Sequence, residues 1–199
     1  MGSNDLRKRK IWQARSGFLA TNAEHTFFNA FKIVFKETNF TICSNPNEFK
    51  KIYVNYPLQK KVLKEIYIPD SSIITHGITP DYAIDHKKTG KTLYIEVKRQ
   101  DGWVEGKPRS AGRGNAHERL CKYFTPGLLK ILREKSEIDS KSLPFWIVFI
   151  GDITRDPCRV REITCWFDNY NEHFYFWRDV SNPIPLINHF DFYLKSLLC

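Results

Sequence analysis

The sequence predicts an α/β fold, a mixed central β-sheet flanked by helices on both faces. Three observations carry this. Thr92–Lys98 alternates strictly, with Leu93, Ile95 and Val97 on one face and Tyr94, Glu96 and Lys98 on the other, the period of a strand. Phe145–Ile150 is a continuous apolar run, the pattern of a strand covered on both faces. Segments of helical period lie before, between and after these runs, the order expected of layers packed on a sheet.

From Asn22 to Lys36, the apolar residues Ala23, Phe27, Ala30, Phe31, Val34 and Phe35 recur at helical spacing, with Asn22 as the expected N-cap. Residues 51–68 fit no single period and are expected to hold a strand and a short helix. Asp81–Asp85 is a short extended run. It is joined to Thr92–Lys98 by the polar, glycine-containing stretch His86–Lys91, which has the chemistry of a hairpin turn. Residues 100–115 are polar and contain Gly102, Gly106, Gly112 and Gly114, so a long loop is expected, and long loops in compact domains are commonly functional. A helix is expected to run through Tyr123. A second starts at Thr125-Pro126, a cap followed by proline at the first helical position, and continues through Leu132. After the buried strand Phe145–Ile150, Val160–Phe167 and His173–Trp177 read as further strands, and Ile187–Leu198 as a closing helix. With 199 residues the chain is expected to form one domain spanning 1–199, its first ten residues a basic tail carrying Arg7, Lys8, Arg9 and Lys10.

Lys and Arg number 31 against 22 Asp and Glu, a formal charge of +9. This favours a polyanionic partner such as nucleic acid or an anionic membrane surface. No run of about 18 apolar residues is present to span a bilayer. The five cysteines show neither Cys-x-x-Cys nor zinc spacing, so reduced thiols are expected rather than a disulfide framework.

The residues that carry chemistry are Pro80-Asp81 and Glu96-Val97-Lys98. If the hairpin turn centres between Lys88 and Thr89, residues whose numbers sum to 177 stand opposite one another, and Asp81 faces Glu96. Directly opposed residues share a sheet face, with Cβ atoms roughly 5 Å apart. Lys98, two residues on, points to the same face. Two opposed carboxylates repel unless a cation or a shared proton intervenes. Mg²⁺ suits them, taking hard oxygen ligands while keeping positions for water and a phosphate oxygen. The competing reading makes Glu96 and Lys98 surface charges on a half-exposed strand. Ser110–Arg119 contains Arg and Asn, suited to two-point contacts with guanine and adenine edges, between glycines that permit close backbone approach. A solvent loop ahead of a helix has the same composition.

Gly114-Asn115-Ala116-His117-Glu118-Arg119 resembles the segment with which restriction enzymes of the EcoRI/MunI group read an inner AATT. Within that group the resemblance extends over Lys98–Lys107, Ser110–Arg119, Phe124–Lys130 and Gly151-Asp152-Ile153-Thr154-Arg155-Asp156-Pro157. The chain is therefore similar to type II restriction endonucleases of the Pro-Asp…Asp/Glu-x-Lys superfamily, from about Trp12 to Trp177. The resemblance implies a restriction-endonuclease-like core and a Mg²⁺-dependent hydrolysis of double-stranded DNA. Asp81 and Glu96 are then the metal ligands and Lys98 the catalytic lysine. Arg113, Gly114, Asn115, Ala116, His117, Glu118 and Arg119 are the DNA-binding segment. Arg113 matches the MunI-type pattern, which implies recognition of the palindrome CAATTG and cleavage after the first C to leave AATT 5′ overhangs. A homodimer, no membrane association, no nucleotide cofactor and a bacterial cytoplasmic location are further implications.

Glu24 is a candidate auxiliary residue, as an outer metal ligand or an orienter of water; an exposed helix glutamate is the alternative. Leu128–Leu132 is a candidate dimer surface, with core packing as the alternative. The rival functions are a catalytically inactive DNA-binding protein and a structure-specific nuclease of the same fold.

Overall fold

A computed structural model describes residues 22–54, 56–68, 71–100 and 117–199. Helix α1 covers residues 22–34 and buries Ala23, Phe27, Ala30 and Phe31 on one stripe. Asn22 is already helical, so it is not the cap expected of it. The helix also stops before Lys36, and Glu37 takes a left-handed φ of 66°. The chain turns into β1, Phe40–Ser44, an edge strand that no sequence pattern announces. Among the described residues of 51–68 there is no strand, only the four-residue helix α2, Lys60–Leu63.

Strands β2 (Tyr82–His86) and β3 (Thr92–Arg99) form the expected hairpin. Gly90, at φ 77°, adopts the left-handed conformation that its turn requires, and its N–H donates to the His86 carbonyl. After a 3-10 stretch, Glu118–Phe124, come α3 (Pro126–Ser136), β4 (Phe145–Ile150), α4 (Pro157–Phe167) and β5 (Phe174–Trp177). The chain closes with α5 (Ile184–His189), a π-helical stretch at Phe190–Leu194, and α6 (Lys195–Leu198).

The sheet order is β1-β2-β3-β4-β5. Its first three strands pair antiparallel, while β3–β4 and β4–β5 are parallel. The sheet is therefore mixed, as expected, and every residue of β4 is buried. Alternation along the strands sorts the core into two layers. Ile84, Leu93, Ile95, Val97, Trp146 and Val148 pack with α1 and the C-terminal helices. Ala83, Tyr94, Phe145, Ile147 and Phe149 pack with the 3-10 stretch, α3 and α4.

One further expectation is corrected. Val160–Phe167 is helix, not strand. Asp156 caps α4 by accepting from the N–H groups of Cys158 (3.0 Å) and Arg159 (3.3 Å), Pro157 follows, and Ile163 and Phe167 are buried one helical turn apart. Of the two readings of Leu128–Leu132, Leu128 and Leu132 take the core-packing one, buried inside the chain's own second core layer.

Candidate active site

The hairpin register places the carboxylates. Tyr82 stands opposite Ile95 and Ala83 opposite Tyr94, pairs that each sum to 177. One step further sets Asp81, just before β2, against Glu96. Asp81 is held there through both backbone and side chain. Its carbonyl accepts from the N–H of Asn45 (2.9 Å), and its Oδ2 accepts from the N–H of Val97 (2.7 Å). Glu96, in β3, is 6% exposed. Lys98 reaches both: its Nζ lies 2.6 Å from Glu96 Oε1 and 3.6 Å from Asp81 Oδ2. The second oxygen of Glu96, Oε2, accepts from the hydroxyl of Tyr123 at 2.9 Å.

Electrostatics follow from this crowding. Burial, reinforced by the Glu96 charge, raises the Asp81 carboxyl to about 6, against the opposing pull of Lys98 and the Val97 N–H. Burial alone would lower the Lys98 ammonium, but the Glu96 and Asp81 carboxylates outweigh it and the net shift is upward. Lys98 therefore stays protonated at neutral pH. The Tyr123 hydroxyl is pushed far up by burial, then by Glu96, so it remains a donor.

Asp81 also lines a concave pocket of about 420 Å³ together with Glu24, His25, Asn29, Asn45 and Tyr82. Glu24 is thus brought beside Asp81. Its carboxyl is raised by burial, with Lys98 pulling the other way, and its backbone carbonyl accepts from the Tyr82 hydroxyl at 2.9 Å.

Of the expected DNA-binding segment, Arg113, Gly114, Asn115 and Ala116 lie outside the described residues, as does the basic tail. Glu118 and Arg119 are exposed at the start of the 3-10 stretch. His117, which the resemblance places in the DNA-binding segment, has a side chain with no exposed surface and bonds to its neighbours. Its backbone N–H (3.0 Å) and Nδ1 (2.9 Å) both meet Gln100 Oε1, its ring stacks on Trp166, and Nε2 lies 3.3 Å from Glu162. Burial lowers its pKa, with the nearby Arg159 charge acting in the same direction.

The family model described as "Type II restriction enzyme MunI" matches residues 1–199. The chain belongs to the MunI family of type II restriction enzymes. As a member it is a site-specific deoxyribonuclease with an α/β restriction-endonuclease-like fold. A curated relative, the type II restriction enzyme MunI of a Mycoplasma species, is 49% identical over 201 residues, covering 100% of both chains. The crystal structure of MunI restriction endonuclease in complex with cognate DNA is similar at a TM-score of 0.82 and 48% identity, over 94% of this chain and 97% of that one.

Sequence reasoning does not find Tyr123, Gln100 or Asn45. Tyr123 meets Glu96 across 27 positions, and no local pattern marks such a pair. Gln100 follows the polar, half-buried Lys98 and Arg99 at the end of β3, so its residue type alone does not mark it.

Proposed function

We propose that this chain is a Mg²⁺-dependent restriction endonuclease that acts as a homodimer on the palindrome CAATTG and cuts after the first C to leave AATT 5′ overhangs. The observation that carries the reading is the meeting of Asp81, Glu96 and Lys98, with one ammonium in reach of both carboxylates.

The donor set fits a hard divalent cation. Asp81 and Glu96 offer only oxygen, and the Asp81 carboxyl is raised first by burial and then by the facing Glu96 charge, both of which a bound cation would offset. Asp81 and Glu96 would contribute two carboxylates and leave other positions to water and a phosphate oxygen, which Mg²⁺ accepts. When bound, Mg²⁺ neutralises phosphoryl charge and acidifies the attacking water.

The chain's own residues do the rest. Asp81 is fixed by the Val97 N–H, and Glu96 by Tyr123 and Lys98. Lys98 holds its proton and presents positive charge where the phosphorane-like transition state gains negative charge. Water adds to phosphorus, the P–O3′ bond breaks, and the products are a 5′-phosphate and a 3′-hydroxyl.

In the recognition segment, Arg113 is assigned the outer guanine, whose O6 and N7 match a guanidinium fork. Gly114, Asn115, Ala116, Glu118 and Arg119 are assigned to the inner AATT. A palindrome presents two identical half-sites, which a C₂ dimer matches. The cytoplasm is the compartment this reading implies.

The test is digestion of phage DNA with Mg²⁺ and with EDTA, then competition binding of the Asp81→Ala variant to CAATTG, GAATTC and TAATTA duplexes. A discrete fragment ladder that EDTA abolishes, with preference for CAATTG, is expected. Adding Arg113→Ala should erase the outer-base preference, a loss of about 1–3 kcal/mol of discrimination per half-site. Smearing, junction-only cleavage or a preference for GAATTC would sink the assignment.

A further inference from the structure

Tyr123 belongs to neither the catalytic motif nor the recognition segment. It sits in the 3-10 stretch Glu118–Phe124, is 1% exposed, and packs its ring against Phe145. A tyrosine so buried requires a partner for its hydroxyl. The partner here is Glu96 Oε2, at 2.9 Å. Lys98 Nζ occupies the other oxygen, at 2.6 Å.

The consequence is geometric. A glutamate has three side-chain torsions, and a lysine with four of its own cannot hold it in one place. A rigid phenol anchored in a packed core can. Charge-assisted hydrogen bonds are short and directional, and each carboxylate oxygen keeps a second lone pair. Glu96 is therefore oriented without being used up as a ligand.

The position of Tyr123 in the chain adds a second consequence. The same 3-10 stretch begins with Glu118 and Arg119, exposed residues of the recognition segment. One seven-residue element thus carries part of that segment at its start and the Glu96 contact near its end.

We propose that Tyr123 is a positioning residue, which orients Glu96 for its divalent cation and ties that orientation to the element bearing Glu118 and Arg119. The inference rests on the reading of Glu96 as a metal ligand.

The experiment titrates Mn²⁺ into the full-length protein and measures bound metal by electron paramagnetic resonance. Partners of metal-ligating side chains typically change affinity by about 10- to 100-fold when removed, and Tyr123→Phe should weaken Mn²⁺ binding by that order. The Mg²⁺ concentration that half-saturates cleavage should rise in parallel, while duplex affinity in EDTA stays at the wild-type value. On a Glu96→Gln background, Tyr123→Phe should add nothing, because the two act through one contact. Leu120→Val, at a buried position in the same stretch, controls for loosened packing: it should lower the unfolding midpoint and leave Mn²⁺ affinity unchanged. If Glu96→Gln weakens Mn²⁺ binding but Tyr123→Phe does not, Tyr123 only fills space and the proposal is overturned. It is overturned equally if Tyr123→Phe is as damaging without Glu96 as with it, or if Leu120→Val mimics it. If Glu96→Gln leaves Mn²⁺ binding intact, the ligand assignment itself fails and the inference falls with it.

Discussion

Asp81 shows how one residue's environment becomes a measurable property. In an unfolded chain an aspartate titrates near 3.9. In this fold burial and the facing Glu96 raise it to about 6, despite the Lys98 charge and the Val97 N–H. The folded state therefore binds this proton more tightly than the unfolded state does. The stability that Asp81 contributes is fully present below the unfolded value and is lost as pH rises through about 6. Unfolding in EDTA at pH 5 and pH 7 should show a larger fall in stability for the wild type than for Asp81→Asn. Identical pH dependence in the two proteins would mean that the carboxyl is not strained by its neighbours.

At the scale of elements, the end of β3 is braced from two sides. The Gln100 N–H donates to the Ile150 carbonyl (3.2 Å), and its carbonyl accepts from Ile153 (3.1 Å). Its side chain holds His117, which α4 supports through Trp166 and Glu162. Residues 100 and 117 flank the expected reading loop in the chain, so the brace joins both of its roots. Gly151 makes the close approach possible. Its φ is 88°, and a Cβ there would sit 2.9 Å from the Gln100 carbonyl oxygen, which is backbone and cannot swing aside. Gly151→Ala should therefore destabilise the protein by roughly 1–3 kcal/mol, the range for such backbone strain. Denaturant unfolding at unchanged slope measures it, and an unmoved midpoint would refute the tight approach. The same region explains why α4 reads as a strand in sequence. Val160, Ile163 and Thr164 favour strands in isolation, but the Asp156 cap and Pro157 commit the segment to a helix whose buried face meets the sheet.

For the whole molecule, the charge of +9 and the proposed palindrome bear on assembly. A single reading segment matches one half-site, so the active species should contain two chains. Sedimentation equilibrium should give twice the 23.5 kDa chain mass at micromolar concentration, with Asp81→Ala binding one duplex per two chains. A monomer that binds the full palindrome with undiminished affinity would refute this. Among the described residues no helix is long and apolar enough to cross a membrane.

Local order in the chain was enough to determine the β2–β3 hairpin, its register and hence the facing of Asp81 and Glu96, because a turn with two-residue periodicity needs no distant information. It also determined the buried strand β4, whose unbroken apolar run has few other uses. Residues 81, 96 and 98 were legible for the same reason. Three features depended on the tertiary structure. Edge strand β1, Phe40–Ser44, exists because β2 offers it a ladder; its burial pattern, with only Phe40 buried, is too weak to announce it. His117 became interior because α4 supplies a stacking partner and a carboxylate from positions 166 and 162. Tyr123 reached Glu96 because the 3-10 stretch packs on the face of the sheet that Glu96 shares with Tyr94, a proximity set by layer packing across 27 residues and written in no local period.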